Sequence, residues 1–116
     1  MFPLPAVAPP NFDQGLYLDT MENLRKLDAK ILFYSHGGVG HDPDGLISVA
    51  MESTRALGDI ILDALKKGET AEAIGHRVEE YTRNRFGFEM SEFDQMMMVG
   101  GYSMYFMKKG LVKAAI

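Results

Sequence analysis

One short stretch of this chain reads as a β-strand: Ile31-Leu32-Phe33-Tyr34, running into Ser35-His36-Gly37-Gly38. β-Branched and aromatic residues that end on glycines carry that signal. A lone strand has no ladder partner, and its N–H and C=O groups are costly to bury unpaired. The other extended candidate is MFPLPAVAPP, residues 1–10, where Pro3, Pro5, Pro9 and Pro10 remove hydrogen-bond donors and fix the backbone. Either the strand pairs with its copy in another chain, or it belongs to a sheet whose remainder lies elsewhere. The proline stretch reads as a segment entering from something upstream, or as a frayed tail.

Four helices surround this strand in the sequence. The first is predicted from about Asp13 to Leu27, with Tyr17, Met21, Leu24 and Leu27 at helical spacing and Leu16 and Thr20 beside them. Asn11 or Asp13 suits its cap. The second is the best marked. Asp42 suits its cap, Pro43 its first turn, and Asp44 the positive end of the dipole. Leu46, Ala50, Thr54, Leu57, Ile61 and Leu65 form its stripe, Lys66 and Lys67 sit in its last turn, and Gly68 stops it. The third starts at Thr70, carries Ala71, Ile74, Val78 and Tyr81, and ends near Phe86-Gly87. The fourth starts at Ser91, with Asp94 as capping-box partner, and runs to Lys108-Lys109 before Gly110.

Composition narrows the function classes. The 116 residues suit one domain, and 47% apolar content argues against disorder. Sixteen acidic against 12 basic residues give a formal net charge of −4, and no Lys/Arg run exceeds two, which argues against a nucleic-acid surface. With no cysteine, a disulfide framework, a zinc ribbon and a thiol nucleophile are excluded. That fits a cytoplasmic location without fixing it. The apolar N-terminus lacks a basic region and is broken by proline, so it does not read as a signal peptide, and no run reaches membrane-spanning length.

His36 is the sharpest candidate for chemistry. A ligand at the end of a strand is held by the ladder behind it, and the glycines after it admit close approach. The plainer reading is a histidine in a turn. His41 beside Asp42 adds two further metal-type side chains to the loop, but Asp42 already serves as a helix cap. His76 falls off the apolar stripe of its helix and reads as a surface residue. Ser35 and His36 are neighbours that a strand points to opposite faces, which argues against a Ser-His pair. Glu79-Glu80 and Glu89/Glu92 read as solvated helix positions rather than acid/base pairs. Gly37-Gly38-Val39-Gly40 precedes a helix as an anion site does, but lacks a P-loop lysine, and Asp42 and Asp44 oppose phosphate. Met96-Met97-Met98 and Met104 to Met107 make the fourth helix apolar on nearly all sides, around Gly100-Gly101. Such a helix belongs to a core or to an oligomer interface.

The order of these elements resembles the C-terminal part of metallo-β-lactamase-fold hydrolases. The resemblance rests on PAVAPPNFDQGLYLDTMENLRKLDAKILFYSHGG: a proline stretch, a helix from Tyr17 to Leu24, a short strand ending in Ser35-His36, then a helical tail beginning Asp42-Pro43. It covers residues 3 to about 70 and continues more loosely through the last two helices, as in glyoxalase-II-like members. It implies a mainly α chain with one or two short strands and four helices, the C-terminal portion of an αβ/βα sandwich. Residues 1–41 would supply a helix, the ligand strand and its loop, and 42–116 the helical tail.

In that family the histidine after this strand is a ligand of the second metal, and His36 is the one residue here that matches. The family's H-x-H-x-D-H motif, its middle histidine and its bridging aspartate are absent from the chain. The resemblance therefore implies part of a metal-dependent hydrolase, inactive alone. The complete enzyme would carry a dinuclear site of zinc or another divalent metal. Its partner would be a missing N-terminal portion or a second copy, with neither nucleic acid nor membrane involved. The competing expectation is a stand-alone helical oligomerisation module without catalysis.

Overall fold

The computed structural model describes residues 12–26, 43–87 and 89–113. These residues are helical, with four helices: α1 (Gln14–Lys26), α2 (Pro43–Lys66), α3 (Ala71–Phe86) and α4 (Glu92–Lys108). No strand occurs among them. The expected strand at Ile31–Tyr34 lies outside the described residues. None of the four helices is long and apolar enough to cross a membrane.

The helix ends follow from local chemistry. α2 opens on Pro43, whose missing N–H has no intrahelical partner to lose. It stops at Gly68, which takes the left-handed conformation (φ 75°) while its N–H donates to the Leu65 carbonyl at 3.0 Å. The Thr70 hydroxyl caps α3 by accepting from the Ala73 N–H at 3.2 Å, and Ser91 caps α4 by accepting from the Asp94 N–H at 3.1 Å. Gly87, again left-handed, closes α3 with its N–H on the Arg83 carbonyl.

The chain divides into two units, and α2 contributes to both. In the first, α1 and the N-terminal half of α2 bury Met21 against Ile47, Ala50 and Met51, with Tyr17, Leu18 and Leu24 packed around them. Leu16, expected beside the α1 stripe, is 65% exposed, and Leu18 packs in its stead. Ser53 and Thr54 are buried, and each donates its hydroxyl to a carbonyl one turn back, Val49 and Ala50, so neither leaves a polar group unsatisfied.

The second unit joins the C-terminal half of α2, α3, α4 and Phe12. Leu57, Ile61 and Ala64 of α2 are fully buried, as are Ile74 and Val78 of α3 and Tyr102 of α4. Burying each large aliphatic side chain contributes about 1.5–3 kcal/mol. Phe12 packs at a tilt against Tyr102, with ring centres 4.7 Å apart, and meets Tyr105 edge-on at 6.0 Å, which gives the core an aromatic cluster.

Three expected stripes shift in detail. On α2 the fully buried positions are 47, 50, 54, 57, 61 and 64 rather than a line ending at 65. Each step of four overshoots a full turn by about 40°, so paired fours drift off the face that alternating threes and fours hold. On α3, Ala71 is exposed and Tyr81 half-buried, while Thr82 is fully buried with its hydroxyl on the Val78 carbonyl at 2.9 Å. On α4 one face is buried, through Met98, Val99, Tyr102, Ser103 and Phe106, while Phe93 and Met96 are each 62% exposed.

Candidate functional site

The residues singled out for metal chemistry, His36, His41 and Asp42, lie outside the described residues, as do Ser35 and the glycines at 37, 38 and 40. Among the described residues no group of three or more histidine, aspartate or glutamate side chains could hold a metal ion. His76 is exposed on α3. Glu79 is ion-paired with Arg83 at 3.2 Å, one turn along the same helix, and Glu80, Glu89 and Glu92 are exposed.

A cleft of about 600 Å³ lies between α3 and α4. Gly75 of α3 and Gln95 of α4 both line it. A Cβ on Gly75 would stand 3.1 Å from Gln95 Oε1 and 3.3 Å from Gln95 Cβ, so the helices already meet at this glycine. Gln95 is fixed in turn by donating its Nε2 to the Met90 carbonyl at 2.8 Å. Ala71, Met96, Met97, Val99 and Gly100 give it an apolar lining, and Glu72, His76 and Glu92 add polar groups. His76 and Gln95 also line an adjoining hollow of about 420 Å³ with Glu79, Glu80, Arg83 and Glu89.

A further hollow of about 480 Å³ involves Ile60 of α2 and Arg77, Tyr81 and Arg85 of α3. Its cations are engaged locally. Arg77 grips Glu69 with two hydrogen bonds of 2.7 and 2.6 Å, which raises its pKa above the ordinary arginine value. Arg85 lies 5.3 Å from the centre of the Phe86 ring.

In the first unit, Tyr17 is half-buried on α1 and its hydroxyl shares a hydrogen bond with the Thr54 side chain. Burial pushes the Tyr17 hydroxyl above its ordinary pKa, and the bond to Thr54 draws it part of the way back.

Sequence reasoning placed Met96 and Met97 in a core or an interface and left Gly75 unremarked. A helix-interior glycine facing a methionine-rich helix was the signal for the cleft. Family models, curated proteins and solved structures were all compared with the chain, and none matches it.

Proposed function

We propose that the chain is the C-terminal portion of a metal-dependent hydrolase of the metallo-β-lactamase fold, with His36 a ligand of its second metal. The supporting observation is the order of elements. α1 ends at Lys26 and α2 begins at Pro43, so residues 27–42, with Ser35-His36-Gly37-Gly38, fall between two helices as the resemblance requires. The three helices between Pro43 and Lys108 fit the helical tail of the same reading.

This chain's own residues do not complete a dinuclear site. It holds three histidines and no cysteine, and the described residues bring no metal-type cluster together. Zinc takes about four ligands, at least three of them from protein in catalytic sites. The other ligands would come from another segment or chain. Hydrolysis of an ester, thioester or lactam-type carbonyl is the reaction class that the resemblance carries, in the cytoplasm and with zinc or another divalent metal as cofactor. The isolated chain is then catalytically silent. An assay with a thioester and a lactone in the presence of zinc should show no turnover. Product release that disappears in His36→Ala would overturn the inactivity of the chain alone.

The second reading, a helical oligomerisation module, is favoured by the apolar side chains left exposed, Leu16 on α1 and Phe93 and Met96 on α4. Light scattering separates the two for the isolated chain, since a well-folded, strictly monomeric species removes the module reading.

A further inference from the structure

We infer that the α3–α4 cleft is a docking groove for a basic amphipathic helix of a partner protein. Three observations carry this, none of which involves His36. First, Met96, 62% exposed, lines the cleft beside Met97 and Val99, and Phe93, equally exposed, stands one turn before it on α4, outside that lining. Anchors at that spacing match the apolar stripe of a helix laid across them. Methionine suits the task, because its unbranched, polarizable side chain repacks around different partners.

Second, the charged groups that line the groove are mostly acidic. Glu72 and Glu92 stand at the cleft, and Glu79, Glu80 and Glu89 line the hollow that shares His76 and Gln95 with it. Among the residues lining these two hollows the one arginine or lysine is Arg83, already bound to Glu79 at 3.2 Å. A lysine or arginine on the partner can lay its aliphatic stem along the methionines and leave its charge at these carboxylates. An acidic or neutral helix gains nothing from them.

Third, the two hollows are neighbours, with His76 and Gln95 in the walls of both. Side by side, the two hollows extend the acidic surface beyond the cleft itself. A second copy of this chain is a poor occupant, because two chains of net charge −4 repel where the groove is already acidic.

The test is fluorescence anisotropy of a labelled leucine/lysine model helix titrated with the full chain, alongside a leucine/glutamate helix of the same length. The expected result is at least about tenfold tighter binding of the lysine helix, with affinity falling as salt rises. Phe93→Gln with Met96→Gln should weaken it about tenfold by removing the anchors. Glu72→Gln with Glu92→Gln should weaken it comparably at low salt and flatten the salt dependence. Glu52→Gln with Asp59→Asn removes as much charge from exposed positions of α2 and should leave binding unchanged. Circular dichroism verifies that each variant is folded, and all six positions are exposed. Failure to bind the lysine helix, equal binding of both helices, or equal weakening by the α2 pair overturns the proposal. So does self-association that Phe93→Gln/Met96→Gln abolishes, since the groove would then hold a second copy.

Discussion

Gly75→Ala tests the closeness of α3 and α4. In an isolated helix this change stabilises by about 0.8–1 kcal/mol, because glycine is a poor helix former. Here the new methyl would stand 3.1 Å from Gln95 Oε1 and 3.3 Å from Gln95 Cβ. The amide end can swing away, but only by giving up its 2.8 Å bond to the Met90 carbonyl, worth about 1 kcal/mol. The Cβ is fixed to the α4 backbone, so relieving that contact moves the helices by a few tenths of an ångström. Overpacking of this kind costs about 1–3 kcal/mol. The propensity gain offsets part of the sum, and the net expectation is destabilisation of about 1 kcal/mol or somewhat more. For a domain of this size that is a fall in Tm of about 4–8 °C. Thermal unfolding by far-UV circular dichroism reads it directly. In a Gln95→Ala background the amide contact and its hydrogen bond are already gone, so Gly75→Ala should come close to neutral there. The difference between backgrounds is a coupling of about 1 kcal/mol. If Gly75→Ala raises Tm equally in both, propensity alone operates and the helices do not meet at this glycine.

Two other perturbations probe different parts of the fold. Tyr17 has a raised pKa when folded, so its neutral form is favoured in the native state. That contribution is fully present below the ordinary tyrosine pKa of about 10 and is lost as pH rises through the higher folded value. Alkaline titration monitored by circular dichroism should therefore show a steeper loss of stability in wild type than in Tyr17→Phe, and identical slopes would remove the burial argument. Ser91→Ala deletes the hydroxyl that accepts from the Asp94 N–H and should cost about 1 kcal/mol in denaturant unfolding, whereas Ser91→Asp should retain most of the cap.

The helices were legible in the sequence because their boundaries are chemical. Pro43, Thr70 and Ser91 open them and Gly68 and Gly87 close them, each through a local bond or dihedral that needs no tertiary knowledge. The faces were less legible. Periodicity alone ranks Tyr81 above Thr82, because it counts apolar atoms and cannot see that a threonine hydroxyl satisfies itself on the carbonyl one turn back. The same blindness applies to Ser103, fully buried with its hydroxyl on the Val99 carbonyl at 2.6 Å. The expectation for α4 split between core and interface: Met98, Val99, Tyr102 and Phe106 are buried as the core reading has it, while Phe93 and Met96 are exposed. The cleft was hidden because its lining brings together residues such as Gly75 and Gln95, 20 positions apart in the sequence, which no single-helix pattern links. His36 rests on the resemblance and on its place between α1 and α2.

The most direct test of that residue is the metal content of the tagged chain recovered from the cells that make it, together with whatever it is assembled with. Wild type is compared with His36→Ala by elemental analysis after gel filtration. If His36 is a ligand of the second metal of a dinuclear site, the assembly should carry two metal ions per chain and the variant close to one. Equal metal content in both proteins, or none in either, would contradict the assignment.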